Sequence, residues 1–232
     1  MAAKIVLPAF LLFLGFEGLG AQPAPTGQNL PKFMGREVTI IEPELEADGF
    51  FPKGPASVCV QGRPQRQCYT APKEFGKSPK VDVVQLDKDT PAILFSAESG
   101  GVSGSQIHLA LLRPGAGKDL ENTFLSDPSV SNQSQYAFWN DAAISDAQIF
   151  VTADFVWGPD EAHYSDHRYI VSAYVRRRSF LVDGLFYYLD DRYMTIRTYA
   201  LGTNILASEK QEILARLKRI KAETELQRKT PR

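Results

Sequence analysis

The chain has 232 residues, 44% hydrophobic and 23% charged, with a formal net charge of −1. That balance excludes an intrinsically disordered chain, and it excludes a dedicated nucleic-acid binder, which carries a strongly basic face. The length suits one large domain or two small ones and lets about 70% of the unfolded surface be buried, without a metal or a dense disulfide framework.

Residues 1–21 read as a cleaved signal peptide. Lys4 precedes an apolar run from Ile5 to Phe16, and the small residues Gly18, Gly20 and Ala21 follow it. The run is too short to span a bilayer, and Pro8, Gly15 and Glu17 disfavour a buried helix. The expectation is a secreted or periplasmic protein cut after Ala21, with no transmembrane anchor left after cleavage. Residues 22–36, with Pro23, Pro25, Pro31, Gly27 and Gly35, read as a Pro/Gly-rich linker.

Cys59 and Cys68 are the two cysteines, and in an oxidising compartment two nearby cysteines join. A hairpin in which they face each other sets Val60 against Gln67 and leaves Gly62-Arg63-Pro64-Gln65 as the loop. Their spacing is too wide for a catalytic Cys-x-x-Cys pair, so the bridge reads as a structural staple.

From Glu37 onward, short apolar runs recur between Gly, Pro, Asp and Ser: Val38–Ile41, Ser57–Gln61, Val81–Leu86, Ala92–Ala97 and Gln106–Leu112, then Tyr136–Trp139, Gln148–Asp154, Tyr169–Val175 and Tyr193–Tyr199. Period-two alternation such as Ile93/Phe95/Ala97 predicts a mainly β domain over residues 37–200, an antiparallel sandwich or barrel-like sheet with one buried face; an α+β fold is the alternative. Ala92–Glu98 followed by Gln106–Leu112 is echoed by Gln148–Asp154 followed by Arg168–Val175. A duplication would make Glu98 and Asp154 equivalent; generic hairpin similarity is the other reading. Residues 179–190 carry both periods and read as a helix over a strand.

The chain ends in an amphipathic helix over residues 207–228. Ser208-Glu-Lys-Gln211 matches a capping box, and Ile213, Leu214, Leu217 and Ile220 form a stripe. From Ser208 to Arg232 there are eight Lys or Arg against four Glu, so a mildly acidic body carries a basic tail. The stripe must bury against the β domain, a second copy or an anionic surface, and docking on the chain's own domain is the expectation. Self-association through this helix is the alternative.

The densest polar stretch runs from Trp157 to Arg168 and holds two of the three histidines. Asp160, Glu161, His163, Asp166 and His167 are the candidate ligand or metal residues, flanked by the aromatics Trp157 and Tyr164. Imidazole with carboxylate is the set that holds zinc or a similar divalent ion, but the spacing is not His-Glu-x-x-His and no third ligand is fixed. A solvated loop is the simpler account. Glu98 and Asp154 suit glycoside hydrolysis only if they approach within about 5–10 Å. A nucleophile elbow is absent, and Gly115-Ala-Gly117-Lys118-Asp119 lacks the first Gly and the Ser or Thr of a phosphate loop. Together these readings lead to an exported, non-enzymatic binding or interaction protein for another protein or a small polar ligand, without a cofactor. The alternative is a metal-dependent hydrolase with a divalent ion on His163 and His167.

Overall fold

In the computed structural model the described residues are 30–62, 65–101, 104–115, 117, 119–124, 129–131, 134–162, 164–176, 186–194, 198–200 and 202–229. The signal segment 1–21, most of the linker, His163 and residues 177–185 lie outside them. Among the described residues the chain is mainly antiparallel β, in three sheets with a C-terminal helix and no closed barrel.

The first sheet pairs β1 (Val38–Ile41), β2 (Ser57–Val60) and β3 (Gln67–Thr70) in that order. Cys59 stands directly opposite Cys68, their Cα atoms 4.1 Å apart and their sulfurs joined, and Val60 is opposite Gln67 as the turn chemistry requires. Replacing both cysteines by serine frees this loop in the unfolded chain. The expected loss is about 2–3 kcal/mol, read as a lower urea midpoint; an unchanged midpoint would contradict the staple.

The second sheet runs β4 (Phe75–Asp87), β5 (Thr90–Ser99), β6 (Gln106–Pro114) and β7 (Leu120–Asn122), with β8 (Ser129–Ser131) also on β6. The third is ordered β12 (Phe186–Met194), β11 (Arg168–Arg176), β10 (Ile149–Val156), β9 (Gln135–Trp139). After it come α1 (Ile205–Ser208) and α2 (Lys210–Lys229).

Three apolar clusters glue four layers together. Val58, Val60 and Phe33 pack with Phe95, Ala97 and Leu112 between the first and second sheets. Leu94, Leu109 and Leu111 meet Phe150 between the second and third. Val151, Ala173 and Val175 meet Ile205, Ile213, Leu214 and Leu217 between the third sheet and the helices. The central strands are thus buried on both faces, whereas the alternation alone predicts one. Layers on each side explain why β5 tolerates the unbroken run Ala92-Ile-Leu-Phe95.

The echoed stretches pair in the same register. Glu98 lies opposite Ile107 and Asp154 opposite Ile170, so Leu94 corresponds to Phe150 and Leu111 to Tyr174. β4 pairs with β5 as β9 pairs with β10, and β7 continues β6 as β12 continues β11. The two middle sheets thus share the order of a four-stranded meander and pack corresponding faces on each other. They differ in β8, which only the second sheet adds, and in their outer covers: the first sheet on one side, the helices on the other.

Four expectations need correction. Phe33 is buried and its backbone pairs with Arg36, so packing starts inside the expected linker. Phe186–Asp190 belongs to strand β12 rather than a helix, because pairing with β11 decides between two periods that the apolar residues fit equally well. Of the stretch Tyr193–Tyr199, Tyr193 and Met194 belong to β12 and Tyr199 makes an isolated bridge with His167, while 195–197 lie outside the described residues. Ser208 does not cap the last helix. It ends the short helix α1, which Asn204 caps by accepting from the Ala207 N–H at 3.1 Å, and its hydroxyl donates back to the Ile205 carbonyl. The stripe itself docks on the chain's own third sheet, and Lys218 reaches Asp141 at 2.8 Å.

Candidate functional site

The connection from β10 to β11 is built from two tight turns. In the first, Gly158-Pro159-Asp160-Glu161, Pro presets the second position and Asp160 takes the left-handed conformation at φ 60°. In the second, the Ser165 N–H donates to the Ala162 carbonyl and the Ser165 hydroxyl accepts from the Ala162 N–H, both at 2.9 Å.

These turns fold Glu161 back onto the base of the loop. One carboxylate oxygen accepts from the Gly158 N–H at 2.7 Å and lies 3.1 Å from Nδ1 of His167. A methyl group at Gly158 would collide with that carboxyl and with the Arg168 guanidinium, so any larger residue there must displace them. The Gly158 N–H first, then the His167 ring and the charge of Arg168, hold the Glu161 carboxyl below the usual glutamate range against the opposing effect of burial.

An ionised carboxylate only accepts, so the proton of the His167–Glu161 bond sits on Nδ1. His167 is 1% exposed, and its Nε2 has no hydrogen-bond partner among the described residues. Phe155 packs 4.7 Å from its ring and Trp157 5.2 Å away, edge to face. The backbone of His167 exchanges both hydrogen bonds with Tyr199, tying the loop to the segment that enters the helices. Outside this core, Trp157 is 47% and Tyr164 83% exposed, and Asp160 and Asp166 face water.

The sequence singles out His163 and His167 four residues apart; the structure instead couples His167 with Glu161, and His163 lies outside the described residues. Among the described residues no three His, Cys, Asp or Glu side chains gather as a ligand set. Glu98 and Asp154 sit on different sheets with different partners. Glu98 is opposite Lys77 and Ile107, while Asp154 is hydrogen-bonded by the Ser131 N–H and the Ser134 hydroxyl. The sequence reading passes over His108, which is buried with its Nε2 2.8 Å from the Tyr69 hydroxyl. Nothing local marks that pair, because its members come from different sheets.

The Glu161 bond has a pH signature. Its folded-state acidity is raised, so the unfolded chain takes up the proton more readily. The stabilisation is complete above the ordinary glutamate range and is lost as pH falls through the lower folded value. Thermal midpoints measured down an acid series should show this loss in the native protein and a shallower one in Glu161→Gln. Identical slopes would remove the bond from the stability of the loop. The Asp141 carboxyl, lowered by Lys218, and the Glu44 carboxyl, lowered by Lys53, titrate in the same direction and contribute slope that remains in the variant.

No protein-family model, curated protein or solved structure matches this chain.

Proposed function

We propose that this chain is an exported, non-enzymatic binding protein whose contact surface is the β10–β11 loop. One observation carries the reading: a half-exposed Trp157 and a displayed Tyr164 stand on a loop whose base is fixed by the Glu161–His167 bond. Aromatic rings held out on a firm scaffold provide contact area at little cost in conformational entropy. Export is supported by the charged, apolar and small-residue order of residues 1–21 and by the Cys59–Cys68 bridge. Among the described residues no helix is long and apolar enough to cross a membrane.

The test has two parts. N-terminal sequencing of the exported product should begin at Ala21 or Gln22; an intact cytosolic form starting at Met1 would end the export reading. Thermal-shift profiling against neutral sugars, amino acids, small anions and zinc should give a stabilising ligand whose effect is lost in Trp157→Ala. A variant that responds like the native protein to every probe would end the assignment of this loop.

A second reading, a metal-dependent hydrolase, draws on the same bond. A carboxylate that holds Nδ1 and leaves Nε2 bare is the arrangement that orients a metal-binding imidazole. Zinc in equimolar amount in protein purified without chelator, and lost in His167→Ala, would favour that reading.

A further inference from the structure

We infer that Trp157 is a lid over the imidazole of His167, and that the ligand which lifts it is a neutral, hydroxyl-rich ring of the saccharide class. The inference rests on the reading of this loop as a binding surface and names what it binds.

The first support is the bare Nε2. Glu161 holds the proton on Nδ1, so in the neutral ring Nε2 is an acceptor, buried and with no hydrogen-bond partner among the described residues. A buried acceptor left without a donor is costly, and an arriving hydroxyl would supply that donor. The second is the aromatic wall. Trp157 lies 5.2 Å from the His167 ring with 47% of its surface exposed, so an indole of the kind that packs on the C–H side of a sugar ring stands next to an acceptor for its hydroxyls. Trp157 also stands one residue past Val156, the last residue of the β10–β11 ladder, so moving it costs ring contacts such as those with Phe155 and His167 but no sheet pairing.

Charge selects for a neutral ligand. The Glu161 carboxylate is already engaged by the Gly158 N–H and the His167 ring and sits near Arg168. Carboxylate and guanidinium stand together with opposite charge, so the site offers no net charge to an ionic ligand. A polyhydroxylated ring binds through hydroxyls and needs none.

Cellobiose, maltose and diacetylchitobiose are the probes, titrated by calorimetry and by tryptophan emission. The chain has two tryptophans, and Trp139 is buried, so Trp157 reports on the loop. At least one disaccharide should bind saturably and shift the emission, and the shift should vanish in Trp157→Phe. Affinity should fall about tenfold or more in Trp157→Ala and in His167→Phe, which keeps a ring but removes the acceptor. Should His167→Phe fail to fold, protection of His167 from diethyl pyrocarbonate by the bound sugar, read by mass spectrometry, replaces it. A sugar that binds equally well to Trp157→Ala, or no response to any of the three, overturns the inference. An amino acid, an anion or zinc acting through Trp157 instead overturns the saccharide class and leaves the binding surface standing. Trp157→Ala matching the native protein against every probe removes both.

Discussion

Replacing Phe150 by alanine is expected to destabilise the protein by about 3–5 kcal/mol, the usual cost of deleting a fully buried aromatic ring. Phe150 has no solvent exposure and sits where the two meanders meet. Its ring centroid lies 4.9 Å from Phe138, 5.2 Å from Phe124, 5.8 Å from Tyr174 and 6.2 Å from Tyr136. Neighbours on both sides of the interface are held by sheet pairing, so they close little of the cavity. A typical domain has about 5–15 kcal/mol in total, so the variant should lose roughly a fifth or more of its stability. Phe150→Leu keeps most of the volume and should cost far less. Urea unfolding of both variants provides the measurement. A cost near 1 kcal/mol for the alanine, the ordinary level for a point mutation, would mean that the interface is not the main cohesive layer.

Much of this architecture is legible in the sequence, and what is not has identifiable causes. The Cys59–Cys68 hairpin is readable because a covalent constraint and a Gly/Pro turn agree on one register. Strands β5, β6, β10 and β11 are readable because their apolar runs are long. The number of layers is not: the alternation Ile93/Phe95/Ala97 predicts one buried face, and only the layers packed on each side show that Ala92–Phe95 is buried on both. Residues 179–190 mislead because Leu185, Phe186 and Leu189 satisfy a helical period, and only pairing with Ile170–Arg176 across the sheet decides the matter. The candidate site divides in the same way. Trp157, Glu161 and His167 are visible as one polar-aromatic stretch. The bond between Glu161 and His167 is invisible, since it depends on the left-handed Asp160 turning the chain back. His163 and His167 attract attention by their spacing, but a four-residue step means one face only on a helix, and His163 lies outside the described residues.

Ending the chain at Ala207 should be the most damaging truncation at the C-terminus, and ending it at Lys221 nearly harmless. The first half of α2 supplies Ile213, Leu214 and Leu217, all buried against Val151, Ala173 and Val175. Each such side chain contributes about 1.5–3 kcal/mol on burial, so their joint removal approaches the stability of a whole domain. Polar ties go with them: Lys218 to Asp141 at 2.8 Å, Lys221 to the Ala143 carbonyl at 2.9 Å, and Lys210 over the Trp139 ring. The chain ended at Ala207 should therefore melt far lower and bind a hydrophobic dye through the uncovered sheet face. Beyond Lys221 the helix carries Leu226 at 66% exposure, and its loss should change stability by less than about 0.5 kcal/mol. Because the apolar stripe is already spent on the chain's own sheet, the full-length protein should run as a monomer in solution. A dimer that dissociates when residues 222–232 are removed would instead make the exposed end of α2 a self-association element. Equal stability of both truncations and the full chain would mean that the third sheet holds its outer face without the helix, which three fully docked aliphatic side chains argue against.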